Sequence, residues 1–410
     1  MRCLDWKKIL YLNRIFFPDS LLVIIEVLFF KDYFNLNFLQ FTTITSATVI
    51  LAMFFEIPSG IISDKFGRKK MLIIGNIIDI LGVVILLLIP LIIEKKLFFY
   101  VLGIELIRVF GRSLASGNFE VLIYQLAQLE EKDNNSDVEF KEISAKSFSI
   151  GSIIAAIASF MSTILYNLNP ITPIVIDTIF KLVKLFTYFN IPSLLNKEHN
   201  NDNNNLKIKP TNKFEVINAI IVIIIFALIF SVSRATFSLY QPIMEELKIP
   251  LSYYGGLVFT INIVLFFIYH SNKKEVSILK NDKAIIIVCV VLFFQIPIIF
   301  TKSIDTMILK FLCIFIFFSI MQIIRLISEG LSNYFINESL KNIENKTFFF
   351  SIYHTIVSLM LVISFQFMGL LEFYIKDFAI TYILYCILIL IFILFFYYIK
   401  RRYLLNEKTY

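Results

Sequence analysis

The chain has 410 residues, of which 58% are hydrophobic and only 17% charged, whereas a soluble domain carries about a quarter charged residues. No soluble globule of this length can hide so much apolar side chain, so lipid is part of its solvent, and the net charge of +7 reads as membrane topology rather than nucleic-acid binding. Four scattered cysteines (Cys3, Cys289, Cys313, Cys386) and three dispersed histidines (His199, His270, His354) support neither a disulfide framework nor a metal site, and no nucleophile elbow or phosphate loop points to an enzyme or a cofactor.

The first residues, Met1 to Phe17, are basic and then apolar, as in a signal peptide, but no small-residue cleavage site follows. The stretch reads as a retained first helix. A membrane helix needs about 20 mostly apolar residues. Runs of that kind fall near 13–31, 38–60, 70–93, 97–124, 144–167 and 170–192, then 214–237, 252–271, 283–301, 304–327, 347–371 and 375–399. Twelve spans are therefore predicted, all helical, because helices satisfy their backbone groups internally in lipid. Arg2, Lys7, Lys8 and Arg14 precede the first span, and Lys65, Arg68, Lys69 and Lys70 follow the second. Lys and Arg recur in every second connection thereafter, down to Lys400, Arg401, Arg402 and Lys408, whereas the intervening connections hold only Lys31, Lys95, Lys96, Lys248, Lys302 and Lys376. This alternation places both termini in the cytoplasm. Residues 196–213 form a polar, Asn-rich cytoplasmic linker between a bundle of six helices in 1–195 and another in 214–410. A 6+6 layout is the pattern of two parallel repeats with a site between them.

After the second span the chain reads EIPSGIISDKFGRKK, Glu56 to Lys70. Gly60, Asp64, Lys65, Gly67, Arg68 and Lys69 match G-x-x-x-D-[RK]-x-G-R-[RK], and the chain thereby resembles the major facilitator superfamily. The Glu56–Gly60 lead-in and Ser116–Tyr124 resemble a bacterial subgroup of it with an E-I-P-[ST]-G lead-in. The resemblance implies an all-α membrane protein, two six-helix bundles related by a pseudo-two-fold axis, and a monomeric transporter of the bacterial inner membrane. It also implies that Asp64 pairs with the loop arginine and faces the N-terminal end of the eleventh helix, near Asn345 to Thr347, as a conformational latch. Glu120, on the same side, could join this cluster. Independently, Gly60 would permit a close helix approach and Gly67 a tight turn. A loop that only fixes orientation would need the cations but not Asp64 or the glycines. The family's second motif is matched loosely by Arg108 to Gly111, and the glycine-proline motif of drug antiporters is absent from the fifth helix.

Ionisable groups within spans are functional candidates by default. They are Asp19 and Glu26 in the first span, Asp79 in the third, Glu105, Arg108, Arg112 and Glu120 in the fourth, and Asp177, Lys181 and Lys184 in the sixth. Asp177 and Lys181 can neutralise each other at i,i+4, and Asp79 can bond to a neighbouring helix. In the second half Arg234 and Lys310 lie towards the outer side, and Arg325 with Glu329 reads as an interfacial pair. Arg108 and Arg112, one turn apart at mid-depth, have no snorkelling route and call for an anion or an aqueous cavity. In the family's fold the first, fourth, seventh and tenth helices line that cavity, so Glu26, Arg108 and Arg112 form the central constellation, with Asp19 beside it. The bland alternative is that Glu105 neutralises Arg108 within its own helix. The expected activity is proton-coupled transport of a small organic solute, an anionic one favoured. An uncoupled facilitator, a membrane enzyme and a non-transporting sensor are the rivals.

Overall fold

The computed structural model describes residues 5–16, 21–92, 97–116, 118–130, 136–191, 213–271, 283–321, 324 and 346–407. The described chain is largely helical, and helix falls within each of the twelve predicted runs, though not over the full length of every one. Contacts divide it into two compact units: Met1–Asn200 with Pro250–Lys273, and Asn201–Ile249 with Lys274–Tyr410.

The first unit holds α1 (Trp6–Ile15), α2 (Glu26–Phe34), α3 (Phe38–Phe66), α4 (Arg68–Ile92), α5 (Leu97–Ala115), α6 (Asn118–Glu130), α7 (Ser136–Leu168), α8 (Thr172–Phe189) and α11 (Ser252–Ser271). Helix α3 starts with a reciprocal cap: Asn37 accepts the Gln40 amide at 2.8 Å, and Gln40 accepts the Asn37 amide at 3.0 Å. It stops at Gly67, whose φ of +97° a residue with a Cβ resists. The α1 segment is amphipathic and inserts Trp6, Ile9 and Leu10 into a cluster with Phe119, Ile123 and Tyr188, and Asn13 donates to the Tyr188 hydroxyl at 2.9 Å. Helix α11 packs on α7 so tightly that a Cβ on Gly255 would stand 2.5 Å from the Ser159 carbonyl oxygen.

The first span departs from the continuous helix expected over 13–31. Helix α1 ends at Ile15, residues Leu21–Ile25 form a turn, and α2 begins at Glu26.

The second unit is built around α9 (Lys213–Phe237) and α10 (Tyr240–Glu246), followed by α12 (Lys283–Phe293), a 3₁₀ segment (Ile296–Ser303), α13 (Met307–Met321), α14 (Lys346–Ile375) and α15 (Phe378–Glu407). Helix α9 packs against α14 and α15 and is largely buried, which suits a run without charge between Ile217 and Ser233. Pro297 lies just past the end of α12, where a further helical bond would need its missing N–H. Tyr382 donates to the Gln295 side chain at 2.9 Å in the buried core of this unit.

Among the described residues, seven helices are both long and apolar enough to cross a membrane. Helices α5 and α8 fall short for one reason: each carries three charged residues, Glu105, Arg108 and Arg112 in the first, Asp177, Lys181 and Lys184 in the second. Together with α4 they carry the ionic site.

Candidate functional site

The charges of α4, α5 and α8 converge in the interior of the first unit. Arg108 is buried, and its Nε donates to Asp79 Oδ1 at 3.1 Å while its Nη1 pairs with Glu105 one turn earlier. Lys181 reaches across from α8 to Asp79 Oδ2 at 2.6 Å. Arg112 leans on the same two acids at longer range, 3.4 Å to Glu105 and 3.9 Å to Asp79. Its side chain is 41% exposed, against 3% for Arg108 and for Lys181. Two carboxylates are thus shared by three cations, and the most accessible cation is the most loosely held. A buried charge persists in such a place only when partners replace its hydration.

The backbone makes room for this cluster. A Cβ on Gly82 would stand 2.3 Å from Arg108 Cγ, so only glycine leaves the arginine stem its course along α4. One end of the same helix pair is backbone against backbone, where a Cβ on Gly75 would meet the Gly111 carbonyl oxygen at 2.3 Å. Asp79, Lys181 and Gly82 complete a site that sequence reasoning centred on Arg108 and Arg112. Their cost in lipid had already marked Asp79 and Lys181, though not as partners of each other, and for Gly82 there was no signal.

A narrow cleft borders the cluster, lined by Leu22, Phe29, Phe30, Arg108, Asp177 and Lys181 among others. Asp177 faces it from α8 and accepts the backbone amide of Leu22 at 3.2 Å. Lys181, one turn on in α8, makes a cross-helix pair with Asp79. Glu26 is half-buried at the first turn of α2, and Asp19 lies outside the described residues.

The loop after α3 forms a second polar centre. Asp64, largely exposed, bonds Arg68 at 2.5 Å across Gly67. Lys69 donates to the carbonyls of Phe189 (2.9 Å) and Ile191 (2.5 Å), capping the C-terminal end of α8, where the helix dipole favours a cation. Lys65 is exposed. Around Gly60 a Cβ would meet nothing within 4 Å, so the close approach expected there is not seen among the described residues. Asn118 at the start of α6 donates to Ser63 Oγ at 2.8 Å and so ties α3 to α6. The backbone of Glu120 lies in α6, while its side chain is outside the described residues.

The profile of the Major Facilitator Superfamily matches residues 14–365. The chain belongs to the Major Facilitator Superfamily. It is a multi-pass membrane protein with the fold of a transporter family, and solved structures agree over the whole length. A mutant of the nucleoside transporter NupG superposes with a TM-score of 0.67 at 11% identity, covering 96% of this chain and 98% of that one. A POT family transporter in complex with 5-aminolevulinic acid gives 0.67 at 11%, covering 97% and 96%. A D-xylose-proton symporter gives 0.62 at 13%, covering 94% and 96%. At these identities the likeness concerns the fold. No curated protein sequence matches the chain. Within the first unit of this superfamily member, the ionic cluster of α4, α5 and α8 and the loop of Asp64 are two places where charge is organised among the described residues.

Proposed function

We propose that the chain is a secondary active transporter that moves a small organic anion by alternating access, coupled to protons. The observation that carries the anionic solute is Arg112. It is held by Glu105 and Asp79 only at 3.4 and 3.9 Å and remains 41% exposed, so an incoming carboxylate or phosphate can take up the guanidinium without breaking the buried pairs. Arginine keeps its proton throughout, so a carboxylate must be the group that titrates. Glu26 is that group in this reading, with Asp19 beside it in the same span. When ionised, Glu26 favours the empty carrier, and its protonation or the binding of solute releases positive charge for the other ligand, which makes the two bindings interdependent.

In the same reading Gly60, Asp64, Lys65, Gly67, Arg68, Lys69 and Glu120 form a cytoplasmic latch that biases one access state. The repeats are residues 1–195 and 214–410, joined by the linker 196–213, and the protein works as a monomer in a bacterial inner membrane. The Glu56–Gly60 lead-in supports membership of the E-I-P-[ST]-G subgroup. A transporter is favoured over an enzyme by the family, and over an uncoupled facilitator by the carboxylates set beside the arginines.

The test is uptake into proteoliposomes under an imposed pH gradient, with radiolabelled lactate, succinate and glutamate as probes and glucose and choline as controls. One or more of the acids is expected to accumulate. Arg112→Ala should abolish that flux, and Glu26→Gln should retain solute exchange while losing the response to the gradient. Accumulation by Glu26→Gln equal to that of the parent would remove Glu26 as the coupling group. Transport of glucose or choline alone would overturn the anionic solute.

A further inference from the structure

A break in a membrane-spanning helix leaves backbone N–H and C=O groups without helical partners, and lipid offers none. The turn Leu21–Ile25 is such a break, and two of its backbone groups are taken up by side chains of other helices. The Leu22 amide donates to Asp177 Oδ2 of α8 at 3.2 Å, and Ser162 of α7 donates its hydroxyl to the Leu21 carbonyl at 2.5 Å. Both side chains are buried, Asp177 at 3% exposure. Asp177 is flanked by charge: Lys181 one turn on in α8 and Arg108 of α5 line the same cleft, and both are bonded to Asp79 of α4. The amide it holds is that of Leu22, one helical turn before Glu26, where α2 begins.

We propose that Asp177 is a positioning residue of the carrier. By gripping the Leu22 amide it keeps the first span broken at Leu21–Ile25 and so fixes where α2 starts and where Glu26 stands. The carboxylate belongs to the ionic cluster on one side and to the turn on the other, and thus ties the geometry of the first span to the cations of α5 and α8. Ser162 is the second hold on the same turn. The functional consequence rests on the reading of Glu26 given above, whereas the grip itself does not. An asparagine at 177 keeps a carbonyl acceptor of the same shape and loses the charge. A leucine keeps the bulk and loses the acceptor. The two variants therefore separate holding from proton carrying.

The full-length protein reconstituted in liposomes would be followed by amide hydrogen exchange and mass spectrometry of the peptide covering Leu21–Ile25. Asp177→Leu should speed exchange there by about tenfold or more, and Asp177→Asn should stay within about threefold of the parent. Ser162→Ala should loosen the same peptide and leaves the ionic cluster untouched, which provides a second reading if Asp177→Leu does not insert. Parental exchange in both Asp177→Leu and Ser162→Ala would overturn the proposal, as would loosening in Asp177→Asn equal to that in Asp177→Leu. In the lactate, succinate and glutamate assay, Asp177→Leu should keep exchange flux and lose gradient-driven accumulation, with Asp177→Asn restoring it. Should the parent move none of these acids, the transport reading fails, and the exchange experiment still decides whether Asp177 holds the turn.

Discussion

Arg108 and Arg112 sit one turn apart on α5, share the same two acids and yet differ in kind. Arg108 has its charge answered inside the bundle, by Asp79 at 3.1 Å and by Glu105. Removing it leaves two carboxylates short of a partner where water does not reach. Arg108→Met should therefore destabilise the folded protein by about 3–5 kcal/mol. Arg112, loosely held and partly exposed, contributes on the scale of a surface pair, so Arg112→Ala should cost no more than about 1 kcal/mol. Thermal unfolding of the purified variants in one detergent compares the two directly. Equal losses would show that Arg112 is structural and would leave the solute without its cation. Of this residue-scale picture, the Glu105–Arg108 pair was legible in advance because i,i+3 spacing brings side chains together on any helix. The Asp79–Lys181 pair was not, because 102 positions separate its partners and only the rotation of α4 against α8 makes them meet.

At the scale of elements, the second unit carries a clasp that joins three connections. Lys302, at the end of the 3₁₀ segment, bonds Glu246 of α10 at 2.6 Å and Asp377 between α14 and α15 at 2.5 Å. Partial burial alone would raise the Asp377 carboxyl, but the Lys302 bond and backbone amides that follow outweigh it and hold the group below its usual value. A carboxyl lowered on folding stabilises the folded state above its unfolded pKa, and this contribution is lost as pH falls through the lower folded value. Asp377→Asn should accordingly cost about 0.5–1 kcal/mol at neutral pH, for a half-exposed pair. The difference from the parent should shrink below about pH 4, where the unfolded carboxyl begins to take up its proton. Unfolding midpoints of both proteins across pH 3–7 measure it, and a gap that persists at the acid end would assign the effect to packing. Neither Glu246 nor Asp377 stood out in the sequence, since acids at helix ends in water are ordinary.

At the scale of the whole molecule, orientation and the latch can be tested together. With the native cysteines replaced, a cysteine at Asn203 should react with an impermeant maleimide only after the cells are opened. Labelling in intact cells would invert the topology read from Lys and Arg. In the same background Asp64→Asn should insert normally and transport at least about tenfold more slowly, because a charge-assisted contact of about 1–3 kcal/mol biases one access state. A parental rate in Asp64→Asn would reduce the loop to an orientation signal.

The sequence by itself determined what depends on local composition and short spacing. It placed the helical runs in outline, because lipid demands about 20 apolar residues at each crossing. It located the loop in which Gly67 turns the chain, and the resemblance of that loop to the family motif implied the meeting of Asp64 and Arg68. It also marked Asp79, Asp177 and Lys181 as costly in lipid, which is why they attracted attention before any partner was known. Only the tertiary structure decided how those costs are met. Helix rotation and the space opened at Gly82 and Gly75 brought Asp79 of α4 to Lys181 of α8. Asp177 in turn holds the Leu22 amide, so the turn in the first span, which hydrophobicity alone rendered as one continuous helix, is gripped by a side chain 155 positions away. Apolar periodicity is a property of one segment, whereas the fate of an orphaned amide depends on whichever helix happens to lie against it.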